Sequence, residues 1–144
     1  FVYDTKTLNI AEGALAYEAK VLIEQGESFE NVAKKLDDLR RRSEFLFTLS
    51  DLDYIIRNKK LSAPAAFVAN LFDIKPIMQI NQIGEIIAVE KVRKLEKTLT
   101  TMGKTVEKLA ANQPAFIYLT DTGHHESTEY FKKILATHFA FWLA

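Results

Sequence analysis

The sequence predicts an α/β fold, and three observations predict it. Helix-period and strand-period segments alternate along all 144 residues. One apolar stripe, Val92, Leu95, Leu99, Met102, Val106 and Leu109, recurs at steps of three and four, the spacing of one buried helix face. Two β-prone runs, Ile77 to Ile80 and Glu85 to Glu90, flank Asn81-Gln82-Ile83-Gly84 at hairpin distance.

Taken in order, Phe1 to Tyr3 reads as a buried strand, followed by the polar loop Asp4 to Asn9. A helix from about Ala11 to Gln25 carries Ala14, Leu15, Val21 and Leu22 near one face, and Gly26 supplies a left-handed stop. Ser28 caps the next helix, whose stripe is Val32, Leu36 and Leu39. Arg40-Arg41-Arg42 matches the negative end of that helix and reads as a solvated face. Glu44 to Ser50 alternates, with Phe45, Phe47 and Leu49 on one side, and predicts a strand. Ser50 and Asp53 form a capping-box-like start for a short helix to Arg57. Ser62 caps another short helix with Phe67, Val68, Leu71 and Phe72 on its apolar face. Lys75 precedes Pro76, so the chain is extended there. After the hairpin and the long helix, Ala115 to Leu119 predicts a central strand. A last helix holds Tyr130, Phe131, Ile134 and Leu135, and Phe139 to Leu143 reads as a further buried strand.

Composition narrows the function classes. Apolar residues make up 48%, enough for a core, and no apolar run is long enough to span a bilayer. Basic and acidic residues balance at 19 each, so no bulk electrostatic case for nucleic acid exists. Cysteine is absent, which removes disulfides and thiolate metal ligation and fits a cytoplasmic location. The start on Phe1, without Met or a signal-peptide layout, reads as a partial chain.

Two familiar chemistries fail on geometry. Gly103-Lys104-Thr105 resembles the end of a phosphate-binding loop, but Thr98 stands where the first glycine belongs and the tripeptide lies inside the helical stripe. His124 and His125 are adjacent rather than one helical turn apart, so they point in different directions and no metal is expected. No Gly-x-Ser-x-Gly elbow supports a catalytic serine. Hydroxyl and amide groups between Asp4 and Asn9, ahead of a helix N-terminus, can bind an anion. Arg93 closes a strand and opens the long helix, where a cation opposes the helix dipole.

Four stretches, in order and spacing, resemble the DegV family of bacterial fatty-acid-binding proteins. They are Val2 to Thr7 leading to Glu12-Gly-Ala-Leu15; Asp51-Leu-Asp-Tyr-Ile-Ile-Arg-Asn-Lys-Lys-Leu-Ser62; Asp73-Ile-Lys-Pro-Ile77; and Gly84-Glu-Ile-Ile-Ala-Val-Glu-Lys-Val-Arg93. The resemblance implies the tail of a Rossmann-like α/β domain over residues 1–43. It implies a second, incomplete domain with a split β-α-β sheet over 44–144. It also implies a long-chain fatty acid in an apolar tunnel, its carboxylate presented to a partner kinase that forms an acyl phosphate, with no catalysis and no cofactor of its own. By that likeness Thr7, Asn9 and Arg93 serve the head group. Phe67, Leu71, Ile74 and Ile77 line the tunnel, and Arg57, Lys59 and Lys60 meet the kinase. The chain departs from the family at Asn9, where Ser is usual, at Ala11, where Gly is usual, and at Asn58, Lys59 and Lys60, which replace Gly-Gly-Arg. The family's C-terminal His-Thr-Gly-x-Gly stretch is not present. Two other readings stay open: a diverged module of this fold for another lipid or small acid, and an α/β enzyme acting on a phosphorylated substrate.

Overall fold

Three antiparallel strands in the order β1-β2-β3 organise the computed structural model, which describes residues 2–61, 74–110 and 114–138. They are β1 (Leu46–Phe47), β2 (Ile77–Ile80) and β3 (Ile86–Glu90). Phe47 lies opposite Met78, Met78 opposite Ala88, and Ile80 opposite Ile86. Register shifts between Ile77 and Met78. The turn forms as expected. The Asn81 side-chain oxygen accepts from the Ile83 and Glu85 N–H groups at 3.1 and 2.9 Å, and Gly84 takes φ +88°. The strand expected over Glu44 to Ser50 contracts to two residues, extended by the Ile80 N–H donating to the Phe45 carbonyl at 3.2 Å.

Five helices form among the described residues: α1 (Asn9–Glu24), α2 (Phe29–Arg42), α3 (Asp53–Arg57), α4 (Leu95–Ala110) and α5 (His125–His138). Gly26, at φ +80°, closes α1. Its N–H bonds the Ile23 carbonyl and the Glu27 N–H bonds the Leu22 carbonyl, the double bond of a Schellman motif. Ser28 accepts from the Asn31 N–H at 3.3 Å and opens α2. α1 and α2 pack on each other through Leu15, Leu22, Val32 and Leu36. Val2 and Tyr3 form no strand. Val2 is exposed, and Tyr3 rests on the α1–α2 cluster instead. At α3 the opening bond comes from Asp51, which accepts from the Asp53 N–H at 2.7 Å, rather than from a Ser50–Asp53 box.

The main core lies between the sheet and the α4–α5 pair. Ile77, Val92, Leu99, Met102, Phe131 and Leu135 are buried there, with Leu95, Val106 and Ile134 packed against them. A fully buried Leu or Ile contributes about 2 kcal/mol, so this cluster outweighs the surface ion pairs around it. Leu109, the last member of the expected stripe, stands 46% exposed. Thr98 is the buried polar exception among the described residues. Its hydroxyl lies 2.9 Å from the Lys75 carbonyl and 3.1 Å from that of Lys94, tying α4 to the segment entering β2.

Ala115 to Leu119, expected as a central strand, takes no regular secondary structure and joins no sheet among the described residues. A strand assignment requires a ladder partner, and this segment has only the side-chain alternation of one. Ile117 and Leu119 pack on the main core while Phe116 is 93% exposed. The expected Ser62-capped helix and the expected strand over Phe139 to Leu143 lie outside the described residues.

Gly103 sits inside α4, which disposes of the phosphate-loop likeness, and it faces α5 closely. A Cβ there would meet Ile134 Cγ2 at 2.6 Å. Gly103→Ala should therefore destabilise the chain by about 1–3 kcal/mol in urea unfolding, although alanine is the better helix former. A neutral or stabilising result would contradict this packing.

Candidate functional site

A polar cleft opens where the α1–α2 hairpin meets the β2–β3 turn. Thr5, Lys6 and Thr7 line it from the loop before α1, Arg40 from α2, and Asn81 and Gln82 from the turn. Its floor is apolar: Ala11 and Leu15 of α1, Phe45, and Ile80 of β2. The enclosed volume is about 20 Å³, room for one water-sized group.

The loop is held in a fixed shape. Lys6 and Asn9 adopt left-handed backbone angles, φ 51° and 56°. The Lys6 N–H donates to Asp4 Oδ1 at 3.1 Å and its ammonium pairs with Asp4 Oδ2 at 2.5 Å. Those contacts hold the Asp4 carboxyl below its usual range, chiefly through the Lys6 ammonium and then its N–H. The loop leans on the turn. A Cβ on Gly84 would sit 3.6 Å from Lys6 Cα.

Arg40 bridges the two sides. Its Nε lies 3.8 Å from Asp37 Oδ1, and its Nη1 donates to the Gln82 carbonyl at 3.4 Å. The Tyr3 hydroxyl donates to Asp37 Oδ1 at 2.9 Å. Burial, and then Asp37, push the Tyr3 hydroxyl above its ordinary pKa.

An apolar stripe leads away from this cleft along one sheet face. The Phe45 and Phe47 rings stack at 5.5 Å. Met78, fully buried, continues the stripe, with Ile86 and Ala88 beside it and Leu52 and Ile55 of the α3 segment over it. Leu61 and Ile74 pack at its margins.

The expected site residues divide accordingly. Thr7 lines the cleft. Asn9 is exposed and does not line it; its place is the left-handed position opening α1, which Asn tolerates well. Arg93 is exposed and pairs with Ile74 beyond the far end of β3, roughly 20 Å from the turn at the rise of a strand. It does not line the cleft that Thr7 lines. Ile74 borders the stripe, whereas Ile77 faces the opposite side and is buried under α4 and α5, because side chains alternate along a strand. Arg57 pairs with Asp53 at 2.8 Å on the surface, and Lys59 and Lys60 are exposed. Leu61 pairs with Ile86 at the start of β3, so this basic loop shares the turn end of the sheet with the cleft. Phe67 and Leu71 lie outside the described residues.

Arg40 is the cleft residue that the sequence reading missed. Its signal was present: it follows Leu36 by four, which puts it on the packed face of α2, unlike Arg41 and Arg42.

Around His124 and His125 the organising group is Asp121. It accepts from the Gly123 and His124 N–H groups at 2.8 and 3.1 Å and from the Thr128 hydroxyl at 3.0 Å, with His125 Nδ1 at 3.3 Å. No group of side chains among the described residues could hold a metal. The Gly123 N–H and then Thr128 hold the Asp121 carboxyl below its usual pKa. A depressed folded pKa stabilises above the unfolded value, about 3.9, and that stabilisation is lost as pH falls through the folded one. Asp121→Ala should thus lower the thermal midpoint at neutral pH, and the deficit should shrink below about pH 4. A deficit independent of pH would contradict the role given to Asp121.

Comparison with known proteins places these features in a family context. The family model described as "Uncharacterised protein, DegV family" matches residues 1–140. A DegV domain-containing protein of Clostridium acetobutylicum is 28% identical over 93% of this chain and 48% of its own. A fatty acid-binding protein of Thermotoga maritima is 33% identical over 89% of this chain and 44% of its own. The crystal structure of a fatty acid binding DegV family protein from Streptococcus agalactiae superposes with a TM-score of 0.87 at 26% identity, over 95% of this chain and 48% of that one. The chain spans about half the length of the curated relatives it matches.

Proposed function

The chain belongs to the DegV family, and from that premise we propose that it binds a long-chain fatty acid and presents the carboxylate to a partner kinase. The observation that carries the reading is the continuity of a polar cleft with an apolar stripe on one sheet face. An amphiphile with an anionic head matches both halves. The head group sits by Thr7 and Thr5 at the mouth, and the acyl chain lies against the half-buried Phe45, Phe47 and Ile86. The fatty acid-binding relative from Thermotoga maritima supports the ligand class.

In this reading residues 1–43 end a first α/β domain and residues 44–144 form most of a second. The cleft has room for one water-sized group, so the head group rests at its mouth rather than inside it. The basic loop Arg57, Lys59 and Lys60 lies at the same end of the sheet as the cleft and offers cationic contacts to the kinase. The kinase supplies ATP and the phosphoryl-transfer chemistry in the cytoplasm. This chain contributes binding and orientation, and does not itself catalyse. Substrate positioning of that kind lowers the barrier by holding the attacking oxygen in place.

Titration of the delipidated protein with hexadecanoate should show saturable one-to-one binding. Phe47→Ala should weaken it about tenfold, the scale of one lost aromatic contact. Replacing Arg57, Lys59 and Lys60 together with Glu should leave binding intact and abolish kinase-dependent acyl phosphate formation. Retention of a short-chain acid in place of hexadecanoate would favour the small-acid reading, and turnover without a kinase would favour an enzyme.

A further inference from the structure

We infer that Lys75 determines acyl-chain length: by holding the start of the α3 segment against the sheet, it limits how far along the Met78 side a chain can run. The inference rests on the fatty-acid reading and deepens it. Phe45, Phe47 and Ile86 are half-buried on this face. Met78 is fully buried under Leu52 and Ile55, each 7% exposed. A chain that continues past Phe47 toward the far end of β2 therefore has to displace this cover. A chain that stops short of Met78 does not.

The cover is held at its two ends. α3 has five residues, too few to keep a position by helix formation alone. Its side-chain hydrogen bonds from Arg57 to Asp53 and from Asn58 to the Tyr54 carbonyl stay within the segment. At the turn end of the sheet Leu61 bridges Ile86 of β3. At the other end, the antiparallel register that sets Phe47 opposite Met78 brings Ser50 level with Lys75. There the Lys75 ammonium donates to the Ser50 carbonyl at 2.5 Å. The base of this lysine is rigid. Its N–H donates to the Val92 carbonyl at 2.7 Å, its carbonyl accepts from the Thr98 hydroxyl at 2.9 Å, and Pro76 beside it is fully buried. Among the described residues no carboxylate pairs with the ammonium. A cation donating to a carbonyl makes a stronger bond than a neutral donor does, so lifting the first turn of the cover costs most at this point.

The test titrates the delipidated protein with decanoate and with octadecanoate. Lys75→Met keeps the apolar stem and removes the charge. It should raise the affinity ratio of the long acid to the short one by about tenfold, the scale of one charge-assisted hydrogen bond that the long chain no longer has to break. Lys75→Arg, which retains a cationic donor, should keep the parent ratio. Ile55→Ala trims the same cover by another route; it should raise the ratio too, and it serves if Lys75→Met does not fold. An unchanged ratio in either folded variant, an equal change for both acids, or a ratio in Lys75→Arg as high as in Lys75→Met would overturn the inference while leaving fatty-acid binding intact. A parent protein that binds neither acid overturns the fatty-acid reading and this one with it.

Discussion

Ile77 and Met78 are adjacent in β2, both fully buried, and they point to opposite faces of the sheet. That pair sets a constraint on everything around it: both faces need cover. On the Ile77 side the cover is α4 and α5, a close-packed layer in which Gly103 lets the helices approach. On the Met78 side the cover is lighter, with Leu52 and Ile55 of the α3 segment at one end and Leu15 with the loop before α1 at the other. A one-residue slip of β2 would exchange the two sets and expose both. The apolar stripe is therefore a by-product of strand alternation as much as a dedicated surface, and its use for an acyl chain follows from what adjoins it.

What adjoins it is the joint between the α1–α2 hairpin and the strand turn. The hairpin has its own apolar cluster and meets the sheet through polar contacts near Arg40, Lys6 and Gln82. Such contacts are individually weak because they lie partly in solvent. Their value is positional: they bring two hydroxyls and a part-buried cation to the edge of an apolar floor. That juxtaposition distinguishes the cleft from an ordinary surface hollow.

Much of this was legible in the sequence where local chemistry decides the outcome. Gly26, Ser28, the Asn81–Gly84 turn and the Leu95–Val106 part of the long stripe each act within a few residues and formed as read, whereas Val92 precedes the helix that the stripe predicts. The rest depends on partners distant in sequence. Ala115 to Leu119 has strand-like side chains, but periodicity carries no information about a ladder neighbour. Ile74 and Ile77 look alike in sequence, and only the strand's register assigns them to different faces. Arg93 and Thr7 could be set in one site on paper because family likeness conveys order along the chain, not distance across a sheet. Arg40 was hidden in a run of arginines, and its helical offset from Leu36 was the one clue. Asn9 occupies a left-handed position, so its side chain type answers to the backbone as well as to any ligand.

The central claim is that ligand direction follows the cleft and the stripe, head at Thr7 and tail toward Leu52 and Ile55. A crystal structure with 16-bromohexadecanoate tests it directly, since the bromine's anomalous signal marks the tail. The account predicts bromine on the Met78 side of the sheet near the α3 segment, with the carboxylate by Thr5 and Thr7. Bromine at the turn end, or a ligand lying between the sheet and α4–α5, would contradict it.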